Sequence, residues 1–314
     1  MTHALLPTGL WPVMLTPYTA DGAIDWRGVD AVTDWYLNNG SAGLFANCLS
    51  SEMFHLSAEE RIALVERVRN RAAGRAPVVA TGNFGGNIAQ QAESIRRMAD
   101  TGVEAVVVLP NMLVTAEDSD DALKKQLDAL LAATGGIPLG LYECPLPYKR
   151  IISSELTAWA AASGRFRYLK DTTCDPAAMR AKLAAARGTP LNLYNAYTGG
   201  ALESLDDGAA GLSPIAANCY PELFSWLCAN HRAQPALAVR VQRAMRVLEA
   251  AVCVQYVASA KRIMGLRGLP IGTHCRHMTL SVDHELVTLH EAMLETVAEL
   301  RDALNLQVAP HPSG

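Results

Sequence analysis

Short apolar runs alternate with longer amphipathic segments along the first three-quarters of the chain. GLWPVMLTP, SAGLFAN, APVVATG and EAVVVLP are apolar at successive positions, as strands buried on both faces are. IPLGLYECP, RFRYLK, PLNLYNAY and GAAGLSPI continue the series. Between them lie segments with helical spacing and helix-start chemistry. Asp25 is placed to N-cap a helix that stops at Gly40. Ser57 with Glu60, and Asn87 with Gln90, have capping-box spacing. Asp175 and Pro176 suit the N-cap and first turn of another helix. Eight strand–helix units in roughly 230 residues predict a closed (β/α)8 TIM barrel of the α/β class.

Strand signals stop after Arg232. Helices are predicted over 236–251, 256–265 and 284–304. The expected organisation is a barrel over residues 1–232 and a helical domain over 233–314, with a loose tail VAPHPSG.

Composition narrows the partners. Half of the 314 residues are hydrophobic and 18% are charged, which excludes a disordered chain. A net charge of −4 argues against nucleic acid or an anionic membrane as partner. No apolar run approaches the ~18 residues of a membrane span. The start lacks a basic segment and meets Pro7 and Pro12 early. Seven cysteines stand singly with no CxxC pair, which suits reduced thiols in a cytoplasm. The low charged fraction points to surface buried in an oligomer; the expected form is a homo-oligomer, a tetramer or a dimer.

A barrel of this kind works at the C-terminal ends of its strands. Lys170 ends RFRYLK and precedes the polar turn DTTCD. With period 2, Phe166, Tyr168 and Lys170 share one strand face. If that face is the interior, desolvation makes the amine a nucleophile toward a carbonyl. By position alone, an ordinary solvated lysine is the commoner occupant of a strand end. Tyr142 ends the neighbouring fifth strand, where a phenol can shuttle protons. A core aromatic is its plainer reading. The run Cys48-Leu49-Ser50-Ser51-Glu52 offers hydroxyls and backbone N–H groups to a carboxylate, or is simply a polar turn. Cys48, Cys144 and Cys174 follow strand ends but lack metal-site spacing, so no metal is expected. His274-Cys275-Arg276-His277 falls between C-terminal helices and reads as surface or oligomer contact.

In this order, several segments resemble the dihydrodipicolinate synthase/N-acetylneuraminate lyase superfamily of class I aldolases. They are VMLTPYTADGAID, LSSE-MFHLSAEER, LYECP, YLKDTT and AAGLSPIAANCYPE. The resemblance implies a Schiff-base lyase or aldolase acting on a 2-keto acid of the pyruvate type, with no metal or diffusible cofactor. It makes Lys170 the Schiff-base lysine and Tyr142 the proton-relay tyrosine. Ser50 falls on a threonine position that binds the keto-acid carboxylate and carries the relay, and Ser51 on the glycine after it. Leu49, Glu143, Arg150, Asn195 and Ser213 complete the expected substrate-binding set.

The departures bear on the substrate. Leu49 replaces a hydroxyl-bearing residue, and Glu143 the usual Asn. Met112 stands where many members have a tyrosine reaching into the neighbouring subunit's site. Pro147 stands about where dihydrodipicolinate synthase has a substrate-binding Arg, with Lys149 and Arg150 offset. Together these argue against a true dihydrodipicolinate synthase. SSEMFHLS also resembles the deoxy-ketoglucarate dehydratases, so a Schiff-base dehydratase of a sugar-derived keto acid is an alternative. A barrel that binds keto acids without turning them over is another.

Overall fold

The structure, a computed structural model, describes residues 5–306. The tail VAPHPSG lies outside the described residues. Eight parallel strands alternate with helices: β1 (Gly9–Leu10), α1 (Trp26–Asn38), β2 (Leu44–Ala46), α2 (Ala58–Ala72), β3 (Val78–Thr81) and α3 (Ile88–Asp100). They continue as β4 (Ala105–Val108), α4 (Asp120–Ala133), β5 (Leu139–Tyr142), α5 (Ser154–Ala162), β6 (Phe166–Asp171) and α6 (Pro176–Ala186). The barrel ends with β7 (Asn192–Asn195), α7 (Ala201–Asp206), β8 (Gly211–Leu212) and α8 (Pro221–Asn230). Three more helices follow: α9 (Pro235–Cys253), α10 (Ala258–Leu266) and α11 (His284–Ala303). No helix among the described residues is long and apolar enough to cross a membrane.

From β2 to β8 each strand pairs with its sequence neighbour, and β1 pairs with β8. A parallel bridge between Val13 and Phe45 closes the ring. The expected TIM barrel is therefore present. Its first strand is shorter than the apolar run GLWPVMLTP, because Pro12 has no N–H to give the ladder. The helix starts follow the sequence. Asp25, Ser57, Asn87 and Asp175 all accept hydrogen bonds from the first turn of their helices.

The barrel interior is an aromatic plug. Trp11 packs at 5.4 Å from Tyr168 and 5.2 Å from Tyr194, between ring centroids. Phe45 meets Tyr142 and Tyr168 edge-on, each at 5.6 Å. A Cβ at Gly43 would lie 2.4 Å from the Trp11 ring, so only glycine leaves room for it. A second apolar layer lies between strands and helices.

One expected face is wrong. Phe166 does not share the interior face with Tyr168 and Lys170. Leu139 opposes Phe166 while Gly140 opposes Tyr168, so Arg167 is an extra residue in the ladder. The bulge turns Phe166 outward against Trp159 and leaves Tyr168 and Lys170 inside.

Candidate active site

Above the aromatic plug, at the C-terminal ends of the strands, is a cavity of about 570 Å³. Lys170 and Tyr142 form its floor, and they are direct partners in the β5–β6 register. The Lys170 ammonium lies 5.0 Å from the centroid of the Tyr142 ring. Lys170 is only 2% exposed. Burial pulls its pKa from 10.5 down to about 8, against a small opposing effect of the Cys48 and Cys144 thiols. Burial also raises the Tyr142 phenol, so it holds its proton at neutral pH.

Two short 3₁₀ turns after β2, Leu49–Ser51 and Met53–His55, bring Leu49 and Ser50 to the cavity wall. Glu52 joins the turns with φ at +58°, in the left-handed region. Its carboxylate accepts from Lys261 Nζ at 2.8 Å, the Arg276 backbone N–H at 2.7 Å and His277 Nδ1 at 2.9 Å. Burial alone would raise its pKa, but Lys261 and these hydrogen bonds outweigh it and hold the carboxyl below its usual range. The segment 274–277 thus ties the C-terminal part of the chain to the loop after β2 through Arg276 and His277, while His274 and His277 stay exposed. Arg276 also pairs with Glu60, and His277 lines the cavity.

The structure brings Lys170, Tyr142, Ser50 and Leu49 together and turns the other expected lining residues away. Ser51 donates to the Met14 carbonyl at 2.7 Å and accepts from the Cys48 N–H, bracing the turn. Glu143 is fully buried behind the barrel wall. Its carboxylate accepts from the N–H groups of Ile152 and Thr172 and from Lys182. Asn195 donates to the carbonyls of Tyr197 and Gly200 and to Ser204. Ser213 donates to the Trp11 carbonyl and accepts from Tyr168. Arg150 donates to the Asp118 carbonyl and to Asp120, both at 2.6 Å. Lys149, its neighbour, does reach the cavity wall.

Tyr256 is a member of the site that local pattern misses. Residues 256–265 read as one helix, but α10 starts at Ala258 and Tyr256 sits in the turn before it. From there its hydroxyl donates to Ser50 Oγ at 2.7 Å and it lines the cavity. Residues 206 positions apart meet here, and neither helical spacing nor capping chemistry carries that information.

A buried lysine beside a phenol and a hydroxyl, in one cavity, is an arrangement for carbonyl chemistry. Known proteins agree with the fold. A dihydrodipicolinate synthase from Bacillus anthracis superposes with a TM-score of 0.84 at 19% identity, covering 93% of this chain and 99% of that one. A dihydrodipicolinic acid synthase family protein from Escherichia coli, in complex with pyruvate, gives 0.83 at 22% identity, with 93% and 98% covered. In sequence, the 4-hydroxy-tetrahydrodipicolinate synthase of Nitrosococcus oceani is 28% identical over 240 residues, covering 74% of this chain and 80% of the relative. The dihydrodipicolinate synthetase family matches residues 6–297, and this chain therefore belongs to that family of class I aldolases and lyases.

Proposed function

We propose that the protein is a Schiff-base lyase or aldolase acting on a 2-keto acid of the pyruvate type. The observation that carries this reading is Lys170. It is buried at the cavity floor, no carboxylate among the described residues pairs with it, and Tyr142 is its register partner. Unprotonated Lys170 Nζ attacks the C2 carbonyl. The carbonyl oxygen leaves as water and a protonated imine forms, which serves as electron sink. Loss of a C3 proton gives an enamine that attacks an aldehyde; the reverse sequence cleaves the C3–C4 bond. Tyr142 moves the protons and Ser50 holds the carboxylate. The pyruvate named for the Escherichia coli neighbour supports this choice of substrate.

Pyruvate with borohydride is the test. The reduced adduct is expected on the peptide containing Lys170 and is expected to vanish in Lys170→Ala. An adduct confined to another lysine would overturn the mechanism.

Our finer reading is that this chain is a poor dihydrodipicolinate synthase. Condensation with aspartate semialdehyde needs a cation for the second carboxylate, and such a bond is worth about 1.5–3 kcal/mol. Pro147 has no charge, and Arg150 is engaged by Asp118 and Asp120. Coupled assays are expected to give kcat/KM below the ~10⁴ M⁻¹s⁻¹ of ordinary enzymes. A value above that rejects this finer reading and leaves the Schiff-base reading intact.

A further inference from the structure

Ser50 does not choose the direction of its hydrogen bonds. The Ile215 carbonyl can only accept, and Asn218 Nδ2 donates to it at 2.9 Å. That contact fixes which end of the Asn218 amide faces which neighbour. The second hydrogen on Nδ2 then goes to the Tyr256 oxygen, at 2.9 Å. The other end of the amide, Oδ1, accepts from the Tyr36 hydroxyl. Tyr256 has one proton and an amide nitrogen cannot receive it. It goes to Ser50 Oγ, at 2.7 Å. The Ser50 proton is therefore left for a different acceptor, and Ser50 lines the cavity.

Burial supports the pattern. Tyr36 and Asn218 are fully enclosed. The Tyr36 and Tyr256 phenols are both pushed up by desolvation and keep their protons across the ordinary working range. The chain of contacts therefore has one polarity, from Tyr36 through Asn218 and Tyr256 to Ser50. It joins α1, the segment after β8 and the turn before α10 to the loop after β2.

We infer that Asn218 and Tyr256 are positioning residues that hold the Ser50 hydroxyl as a hydrogen-bond donor toward the keto-acid carboxylate. This rests on the Schiff-base reading above. The carboxylate meets a hydroxyl whose proton is already aimed at it, and no reorganisation is needed on binding.

The test reverses the polarity. In Asn218→Asp a carboxylate oxygen replaces Nδ2 and accepts the Tyr256 proton. Ser50 then donates to Tyr256 and presents only lone pairs to the anion. The readout is borohydride inactivation as a function of pyruvate concentration, with thermal melting as a check on the fold. The half-saturating pyruvate concentration is expected to rise about 10–100-fold in Asn218→Asp, the range for losing a hydrogen bond to a charged group. Ser50→Ala should lose a similar factor. Tyr256→Phe removes the constraint without reversing it, and a rise of about 3–10-fold is expected. In a Ser50→Ala background neither second change should raise the value further, because nothing remains to be aimed.

Additive losses in that background would mean a general structural role and overturn the inference. So would changes below twofold in both Asn218→Asp and Tyr256→Phe. If Asn218→Asp fails to fold, Tyr256→Phe with and without Ser50→Ala decides alone. Absence of any pyruvate adduct on the unaltered protein would instead reject the Schiff-base reading, and this inference with it.

Discussion

Two buried lysines sit twelve residues of sequence apart and live in opposite electrostatic worlds. Lys182, on α6, lies behind the barrel wall at 1% exposure, between the carboxylates of Glu143 and Asp171. Lys170, on β6, is as deeply buried, and what acts on it are the Cys48 and Cys144 thiols and the Tyr142 ring. Strand parity separates them. Tyr142 and Lys170 point into the barrel, and Glu143 and Asp171, one residue on, point out. The dipeptides Tyr142-Glu143 and Lys170-Asp171 thus each give one residue to the cavity and one to the cage behind it. The caged lysine holds two strands to a helix through its pairs with Glu143 and Asp171. The uncaged one gives its proton up readily, which is what a nucleophile requires.

The sharpest break in this comparison is the same substitution at both sites. Lys170→Met should remove borohydride trapping and turnover below detection, and the protein should remain folded. Lys182→Met should keep the nucleophile but leave two buried carboxylates without their cation. Removing one partner of such a pair typically costs about 3–5 kcal/mol. The expected result is a large drop in the denaturant midpoint, read by chemical unfolding. Equal stability of Lys182→Met and the parent would show that the cage is not structural. Tyr142→Phe tests the other floor residue, with kcat expected to fall about 10²–10⁴-fold. A change below about threefold would place the relay elsewhere.

A smaller effect concerns stability and its sign. The folded-state pKa of Lys170 is about 8, below the 10.5 of the free side chain. Below pH 8 both folded and unfolded chains carry the charge, and its burial costs the fold about 3 kcal/mol. Between pH 8 and 10.5 the folded state loses the proton first, so the penalty fades as pH rises. Lys170→Met should accordingly be more stable than the parent at pH 7, by up to about 3 kcal/mol, with the gap closing toward pH 10.5. Unfolding curves of the two proteins across this range measure it. A gap that widens with pH would reverse the assignment.

Much of this was legible in the sequence, and the failures have physical causes. Alternating apolar runs and capping residues placed the barrel units, because those signals are local. Lys170 and Tyr142 were readable as strand-end residues on adjacent strands. The parity that turns Tyr142 into the cavity turns Glu143 away from it, so Glu143 is buried behind the wall rather than lining the cavity. The Phe166 error had no local signal, since a one-residue bulge is a property of the pair of strands. Tyr256, Lys261 and His277 were out of reach for the same reason. Each acts on the loop after β2 from more than 200 residues away.

The least effect is expected at Arg150, and it follows from the same contrast between engaged and unengaged cations. Its guanidinium donates to the Asp118 carbonyl and pairs with Asp120 at the start of α4. Both contacts lie away from the cavity, which its neighbour Lys149 helps to line. An arginine so engaged would have to break a charge-assisted bond to reach a substrate. Arg150→Ala should therefore change KM for any keto acid less than threefold and cost the fold about 0–1 kcal/mol, as part-exposed ion pairs do. Lys149→Ala should affect KM more, and only for substrates with a second anionic group. Steady-state kinetics on paired substrates with and without that group separates the two. A tenfold KM rise in Arg150→Ala would mean that the segment from Pro145 to Arg150 swings over the mouth during turnover, and that pairing in the resting structure does not decide which cations serve the substrate.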